Sequence, residues 1–402
     1  MPVSPRRQSS LERAAEVTHS TSSRFFLSDG YAASECFPGD PLGEIARNVL
    51  RSRAATALQY GPRAGYRPLR ELIAKWLESD GVPASVDDIA IVTGAKQGLD
   101  LVARAFTAPG DTLVGSEPTY MSGLRIFSNA ALQMIPVTAD GDGTKVDEIA
   151  HTFDRQAEAG APLPRLIYEI PDFQNPTGTV LSEERREALV GIASRHGALI
   201  LEDNPYRWLR YEAAPLKPLK SYDREGIVIS VGSFAKILGP GLRVGWIHAR
   251  GDWLSRILRY KADAGTSPLT QMIAHEFFSG PEALEHHLTR IRATLKPRRD
   301  QMLEALRKWF GGVATWTAPL GGYYVWVTLP VDVDGDRLAA KASEAGIDCY
   351  PGSLFFSDGR PRNLLRLSYS HETPERIECA VERLAEVMNA TPETPPRSPA
   401  PR

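Results

Sequence analysis

The sequence predicts an α/β protein in which a large, mostly parallel β-sheet is covered by helices and a smaller α+β domain follows. Two observations lead to this prediction. In the middle of the chain, short apolar runs of strand length alternate with amphipathic helical segments, which is typical of a parallel sheet buried on both faces. In the last third, one long helical pattern and more widely spaced strands replace that alternation. A chain of 402 residues is long enough for two domains.

The middle of the chain supplies the strands and helices of the large sheet. The segments are, in order, DIAIVTG, AKQGLDLVARAF, RLIYEI, SEERREALVGIASRHG, ALILEDN and GIVISVGS. In the fourth segment, Ser182 is predicted to cap the helix start, with Glu183 and Glu184 in the first turn. Gly197 is predicted to end that helix.

The last third predicts the smaller domain. A helix from about Glu282 to Phe310 precedes a strand in GGYYVWVTL, a helix near DRLAAKASEAG and a strand in LLRLSYS. The final helix is predicted to begin with Thr373 as its N-cap and Pro374 at its first position.

These patterns divide the chain into five predicted parts. They are a disordered tail over 1–23, an N-terminal segment over 24–55 that packs with the small domain and the active site, a large domain over 56–275, a small C-terminal domain over 276–390, and a second disordered tail over 391–402. The tails are predicted to be disordered because their small, charged and proline residues cannot bury enough apolar surface.

Composition limits the class of protein. A net charge of −2 with 42% hydrophobic and 24% charged residues is ordinary for a globular protein, and the sequence has no basic stripe for nucleic acid. We find no apolar run long enough to cross a membrane and no signal-peptide core, so we expect a cytoplasmic protein. Cys36, Cys349 and Cys379 are too few and too scattered for a disulfide framework or a metal cluster, and we predict no metal site.

Chemically useful residues follow the ends of the predicted strands. Because ligands bind outside the carboxyl ends of parallel strands, these residues are expected to converge. They are Gly94, Ala95 and Lys96 after IAIVT, Asn175 after LIYEI, Asp203 and Tyr206 after ALIL, and Ser233 and Lys236 after IVIS. The helix that starts at Ala95 would offer free backbone N–H groups to a phosphate.

Lys236 is the most informative of these residues. It lies in the apolar run FAKIL, where an unpaired ammonium is costly, and desolvation makes a lysine amine available as a neutral nucleophile for an aldehyde. Ser233 and Arg243 offer a hydroxyl and a guanidinium fork suited to phosphate. An amine and an anion site together indicate pyridoxal 5′-phosphate. Taken singly, the same residues also fit purely structural interpretations, namely turns, helix caps and a solvated lysine.

The chain resembles the fold-type I pyridoxal-phosphate enzymes, in particular the class I and II aminotransferases of the branch that includes aminoadipate and aromatic-amino-acid aminotransferases and the C-terminal domains of MocR-type regulators. The resemblance covers roughly residues 25 to 388. Its motifs are LQYGPRAGYRPLRELIA, EPTY, NPTG, LEDNPY, GSFAKILGPGLRVGW and RNLLRLSYS. It implies a seven-stranded sheet in the large domain and a homodimer with shared active sites.

The resemblance also implies residue roles. Lys236 would hold the cofactor as a Schiff base and then move the substrate proton. Asp203 would face the ring nitrogen, Asn175 and Tyr206 the phenolic oxygen, and Tyr120 the ring face. The phosphate would be held by Ala95, Lys96, Ser233, Arg243 and, from the other subunit, Tyr60. Arg366 would bind the substrate carboxylate, with Gly30, Tyr31 and Asn175 beside the substrate.

One segment departs from the family pattern. LSDGYAASECFPGDPL replaces the usual Gly-Gly-x-Pro stretch beside the substrate, so that Asp29 and Tyr31 change the wall that meets the side chain. In addition, the family usually has a polar residue and a glutamine at the positions of Ala95 and Lys96, and a serine or threonine at that of Ala235. The loss of hydroxyl groups predicts slightly weaker phosphate contacts, to which Lys96 would add a charge.

The predicted function is an aminotransferase that moves the amino group of an L-amino acid to a 2-oxo acid through a pyridoxamine intermediate. The alternative is a pyridoxal-phosphate enzyme of specialised metabolism that catalyses β-elimination, decarboxylation or oxidative deamination. A ligand-sensing module of a regulator is disfavoured because about two dozen residues before the fold are too few for a winged helix. A dinucleotide-binding enzyme is disfavoured because no G-x-G-x-x-G follows a strand.

Overall fold

The computed structural model describes residues 24–390. The two predicted tails lie outside the described residues. Eleven α-helices are assigned in this range. They are α1 Gly39–Ala57, α2 Arg67–Ser79, α3 Ala95–Phe106, α4 Met121–Asn129, α5 Val146–Glu158, α6 Glu183–His196, α7 Gly251–Tyr260, α8 Pro268–Phe278, α9 Ala283–Phe310, α10 Gly335–Glu344 and α11 Pro374–Ala390.

Fifteen β-strands are assigned in the same range. They are β1 Phe25–Phe26, β2 Ile89–Val92, β3 Thr112–Ser116, β4 Gln133–Val137, β5 Ala139–Asp140, β6 Gly143–Thr144, β7 Leu166–Glu169, β8 Leu199–Asp203, β9 Val228–Ser233, β10 Gly245–His248, β11 Thr315–Trp316, β12 Tyr324–Thr328, β13 Ile347–Asp348, β14 Tyr350–Pro351 and β15 Leu364–Ser368.

The largest sheet contains seven strands in the order β2-β10-β9-β8-β7-β3-β4. The pairs from β9 through β4 are parallel, whereas β10 is antiparallel to both of its neighbours. The sheet is therefore mostly parallel, as predicted. The register pairs Asp203 at the end of β8 with Val231 in β9, so that the carboxyl ends of these two strands lie side by side.

Helices cover both faces of this sheet. Residues of β7 alternate between two buried apolar clusters, with Leu166 and Tyr168 in one and Ile167 in the other. The first cluster includes side chains of α3 and α7, and the second includes side chains of α5 and α6. Burial on both faces explains why the strand sequences are continuously apolar.

A second sheet of four antiparallel strands, in the order β11-β12-β15-β14, lies in the C-terminal third. Its buried side chains share one core with α9, α10 and α11. The N-terminal strand β1 pairs in parallel with β13, and Leu27 belongs to the same core. The N-terminal segment is thus attached to the C-terminal third of the chain.

The predicted helix signals are present. The Ser182 side chain accepts a hydrogen bond from the Arg185 amide at 3.4 Å, and Gly197 ends α6 with φ of 63°. The Thr373 hydroxyl accepts from the Arg376 amide at 3.4 Å at the start of α11. The proposed domain limits remain predictions, and those between residues 55 and 56 and between 275 and 276 fall inside α1 and α8.

Candidate active site

The predicted site residues meet where strands of the large sheet end. Ser233 and Asp203 are the last residues of β9 and β8, and Gly94 follows β2. Asn175 lies in the loop after β7, and Lys236 comes three residues after β9. Because β7, β8 and β9 are adjacent and parallel, these residues share one edge of the sheet.

Lys236 is held at the centre of the cluster. Its Nζ donates a hydrogen bond to the carbonyl of Gly30 at 2.7 Å. The neighbouring side chains of Phe234 and Ile237 are fully buried, so the segment that carries the amine is packed in apolar surroundings. Burial lowers the pKa of Lys236 to about 8, and Arg366 adds to the decrease. The amine is therefore much easier to deprotonate than that of a solvated lysine.

Asp203 is buried, and only one of its two carboxylate oxygens accepts a hydrogen bond. Its Oδ2 accepts a hydrogen bond from the Tyr168 hydroxyl at 2.8 Å, whereas Oδ1 is buried without a partner. Burial raises the pKa of Asp203 to about 7, against the lowering effect of Tyr168. A free oxygen on a buried carboxylate is costly unless a ligand supplies a donor or a cation.

The turn after β2 forms a concave backbone surface beside Arg243. Gly94 has φ of 81°, and a Cβ atom added to it would lie 2.7 Å from Nη2 of Arg243. That nitrogen donates to the Thr93 carbonyl at 3.0 Å. A side chain at position 94 would therefore displace the guanidinium from the start of α3.

The remaining residues predicted to bind phosphate surround the same turn. The Ser233 hydroxyl accepts from the Ala235 amide at 3.1 Å. Lys96 follows Ala95 in the first turn of α3, and burial and Arg243 lower its pKa. Burial is the larger cause, and the smaller contribution of Arg243 places two positive charges near each other, an arrangement that suits an anion such as phosphate.

Arg366 is buried in the middle of β15 and is fixed at both ends of its guanidinium group. Nη1 donates to Asn175 Oδ1 at 2.9 Å, and Nη2 donates to the carbonyl of Ser28. The ring of Tyr324 lies 4.0 Å from Cζ, and Nε is buried without a partner. A buried guanidinium that retains an unused N–H can donate a hydrogen bond to a carboxylate.

Tyr206 and Tyr324 close the site on the side of Lys236. The Tyr206 hydroxyl donates to the Tyr324 hydroxyl at 3.3 Å. A Cβ atom on Gly30 would lie 2.1 Å from the Tyr324 hydroxyl and 3.1 Å from Lys236 Nζ, which leaves space only for glycine. Gly30 thus brings its backbone against the lysine.

The other predicted tyrosines differ in their surroundings. Tyr120 is half-buried just before α4, and burial raises its pKa. The Tyr31 carbonyl accepts from the Ser370 hydroxyl at 2.6 Å, and its ring packs edge-on against His371. Tyr60 is 80% exposed, so the single chain does not bring it into the cluster.

Two site residues were not predicted from the sequence. Tyr168 fixes Asp203, and Tyr324 lies under Arg366. Tyr168 carried a weak signal, because it occupies a buried position of an all-apolar strand where a hydroxyl needs a partner. Tyr324 carried none, since its contact with Arg366 depends on how β12 pairs with β15 and its contact with Tyr206 on how the second sheet packs against the first.

The residues present fit pyridoxal 5′-phosphate. The free Oδ1 of Asp203, the cradle at Gly94 and the amine of Lys236 correspond to the three groups that this cofactor presents, namely a ring nitrogen, a phosphate and an aldehyde. Within residues 24–390, no group of three or more His, Cys, Asp or Glu side chains is arranged to hold a metal ion. In the same range, no helix is both long and apolar enough to cross a membrane.

The fold, with its seven-stranded and mostly parallel sheet, is that of the fold-type I class of pyridoxal-phosphate enzymes. A family model described as aminotransferase class I and II matches residues 34–384. The chain belongs to that family, and its activity is the transfer of an amino group.

Individual relatives agree with this assignment. The aromatic-amino-acid aminotransferase 1 of Thermococcus litoralis is 38% identical, covering 92% of this chain and 88% of that protein. The crystal structure of the kynurenine aminotransferase of Pyrococcus horikoshii, which contains PMP, matches with a TM-score of 0.89 at 35% identity, covering 96% and 95% of the two chains. An uncharacterized HTH-type transcriptional regulator of Bacillus subtilis, YisV, is 31% identical over 95% of this chain and 77% of its own length.

Proposed function

We propose that this site binds pyridoxal 5′-phosphate covalently through Lys236 and transfers the amino group of an L-amino acid to a 2-oxo acid. The observation that carries the proposal is the position of Lys236, whose amine has a pKa lowered to about 8 and lies in one cluster with Asp203 and Arg366. When bound, the cofactor withdraws electrons from the substrate Cα and so makes the Cα proton acidic.

Lys236 is the proposed base that takes the Cα proton. Burial lowers the pKa of the amine to about 8, so a larger fraction of it is neutral at physiological pH than in a solvated lysine, and only the neutral form can take the proton. The Gly30 carbonyl accepts a hydrogen bond from Nζ at 2.7 Å and so fixes the position of the amine. After the substrate has displaced it from the cofactor, Nζ would carry this proton from Cα to the C4′ carbon of the cofactor, which is the proton movement that the transfer requires.

Asp203 is the proposed partner of the cofactor ring nitrogen. Its free Oδ1 would form a charge-assisted hydrogen bond with a protonated ring, and Tyr168 holds the other oxygen. Pairing with a cation would lower the pKa of Asp203 from about 7, so the carboxylate would remain ionised.

Arg366 is the proposed anchor for the substrate α-carboxylate. Asn175 and the Ser28 carbonyl orient the guanidinium, and Tyr324 supports its face. A guanidinium that is already oriented loses little conformational entropy on binding, and this favours both affinity and the alignment of the substrate Cα with Lys236.

The proposed phosphate site consists of the backbone at Ala95 and Lys96 with Ser233 and Arg243. In a homodimer, Tyr60 would add its hydroxyl to the phosphate of the other subunit. The exposure of Tyr60 supports this part of the proposal, because a tyrosine that is 80% exposed in one chain is available to a second chain.

The experiment that tests the function uses the cofactor-loaded protein and a panel of amino acids. A good donor should change the absorbance of the cofactor in a single turnover, and an added 2-oxo acid should reverse that change. If amino acids are instead consumed catalytically with no 2-oxo acid present, releasing ammonia or carbon dioxide, the reaction is β-elimination, oxidative deamination or decarboxylation. The unusual wall around Asp29 motivates that second candidate.

A further inference from the structure

Asp29 is flanked in the chain by two residues whose carbonyls are bonded to Arg366 and Lys236, the residues proposed to act on the substrate. The carbonyl of the preceding residue, Ser28, accepts a hydrogen bond from Arg366. The carbonyl of the following residue, Gly30, accepts one from Lys236 at 2.7 Å. Both chain neighbours of Asp29 are thus fixed by cations of the site, and the backbone of Asp29 has little freedom to move away.

The carboxylate of Asp29 is tied to the same pocket through Tyr350. The Tyr350 hydroxyl donates to Asp29 Oδ1 at 2.9 Å, and the Tyr350 ring lies 5.0 Å from Cζ of Arg366. Tyr350 therefore contacts both the Asp29 carboxylate and Arg366, the proposed anchor for the α-carboxylate of the substrate. Within residues 24–390, Oδ2 of Asp29 makes no hydrogen bond and is available as an acceptor.

The charge of Asp29 acts on the site itself. Burial and then Arg366 lower the pKa of Lys236, and Asp29 raises it against them, whereas Lys96 and Arg243 lower it further. Asp29 is thus an anion among cations. It contributes to the electrostatic environment of the amine, not only to the surface.

The other charges of the site acquire opposite partners when the proposed function operates. A phosphate would pair with Lys96 and Arg243, a protonated ring nitrogen with Asp203, and the substrate α-carboxylate with Arg366. Asp29 would then retain only the neutral hydroxyl of its tyrosine partner. One negative charge would then be left over on the segment that the family resemblance places beside the substrate side chain.

We propose that Asp29 determines the substrate class: it disfavours amino and oxo acids with a second carboxylate and favours side chains that end in a hydrogen-bond donor or a positive charge. The proposal rests on the proposed function of this site. A second carboxylate would be repelled in a partly desolvated pocket, whereas a donor would pair with Oδ2. Glutamate, 2-aminoadipate and 2-oxoglutarate are therefore expected to be poor substrates.

The test measures equilibrium binding of three acids that carry no primary amine and differ only at one end. Pentanoate, glutarate and 4-guanidinobutanoate each offer a carboxylate to Arg366, and their other ends are a methyl group, a carboxylate and a guanidinium group. Calorimetry on the cofactor-loaded protein should show glutarate binding at least about tenfold more weakly than 4-guanidinobutanoate. In Asp29→Asn, the affinity for glutarate should rise to that for pentanoate, and 4-guanidinobutanoate should lose its advantage.

Pentanoate is the internal standard, and Asp154→Asn is the matched control variant. Pentanoate should bind Asp29→Asn within about twofold of its wild-type affinity, because its single carboxylate uses Arg366 alone. Asp154 is exposed on α5, so removal of the same charge there should leave the order of the three acids unchanged. Tyr350→Phe removes the hydroxyl but keeps the charge, and should retain the penalty for glutarate.

The inference is overturned if glutarate binds most tightly to the wild-type protein, or if Asp29→Asn leaves the order unchanged. If Asp29→Asn no longer binds pentanoate, the test uses the wild-type protein alone. Charge repulsion then requires the difference in affinity between glutarate and pentanoate to shrink as salt is added, and a difference that does not shrink overturns the inference. Failure of the proposed function looks different: no amino acid would change the cofactor absorbance. An active transaminase that prefers acidic donors would overturn the inference about Asp29 alone.

Discussion

The two halves of the site are built in different ways. The cofactor half takes Asp203, Ser233 and Lys236 from consecutive strand ends of one sheet, within a short stretch of sequence. The substrate half combines residues far apart in the chain: Gly30 from the N-terminal segment and Arg366 from the second sheet. The first half is created by the topology of a single sheet, and the second depends on how separate elements pack together.

This difference explains which half is free to vary. Each residue of the cofactor half has a partner fixed by the chemistry of one cofactor, so a change there removes the reaction. The substrate wall has to match only a side chain, so we expect a change there, such as at Asp29, to alter substrate choice more than the chemistry. Perturbing the two halves should therefore give separable effects on chemistry and on substrate choice.

The largest effect is expected for Lys236→Ala, which removes the proposed attachment point and base of the cofactor half. Multiple turnover should fall by at least about 10²–10⁴, the usual contribution of a positioned proton-transfer group. Borohydride reduction followed by peptide mass analysis should place the cofactor on Lys236 in the wild-type protein. Recovery of the reduced adduct on another lysine would contradict the assignment.

The sequence predicted the cofactor half better than the substrate half for a physical reason. An apolar run that ends in Asp203 or Ser233 marks the carboxyl end of a buried strand, and parallel strands bring such ends together whatever the rest of the chain does. The support of Arg366 by Tyr324 is a contact between neighbouring strands β12 and β15, but its direction toward Asn175 depends on the packing of two sheets. No local pattern encodes that packing.

Asp203→Ala should have the next largest effect. Loss of a buried carboxylate opposite a cation typically costs about 3–5 kcal/mol, and we expect turnover to fall by about 10²–10³. The variant should still bind the cofactor, because Lys236 and the phosphate site remain. Absorbance titration with the cofactor, together with steady-state rates, separates these two outcomes. Loss of cofactor binding and turnover in parallel would mean that Asp203 has only a structural role.

Arg366→Lys tests the substrate half. An ammonium cannot reproduce the guanidinium contacts with both Asn175 and Ser28, so kcat/KM for every amino acid should fall by about thirtyfold or more, and Arg366→Ala should fall at least as far. The cofactor absorbance before substrate is added should stay unchanged. A variant that loses activity toward only some amino acids would place Arg366 at the substrate side chain instead of the α-carboxylate.

The pH dependence of cofactor attachment reports on Lys236 before any substrate binds. Its pKa is lowered from 10.5 to about 8, so the reactive neutral amine increases as the pH rises through 8 and reaches a plateau above it. Mixing the cofactor-free protein with pyridoxal 5′-phosphate at pH 7 should be about tenfold slower than at the plateau. A rate that still climbs beyond pH 10 would indicate a solvated lysine.

The smallest effect is expected for Tyr324→Phe, at the contact between the two halves. The variant keeps the ring under Arg366 and loses only the hydroxyl that accepts from Tyr206 at 3.3 Å. Loss of one neutral hydrogen bond is worth about 0.5–1.5 kcal/mol, so turnover should fall about two- to tenfold while KM stays within about twofold. Tyr222→Phe, which removes a hydroxyl bonded to Glu183 on the surface, should change neither quantity. A rise in KM without a change in kcat would instead assign Tyr324 to the substrate wall alone, and the two halves would then meet through Gly30, where the backbone contacts Lys236, and through the bond from Arg366 to Asn175.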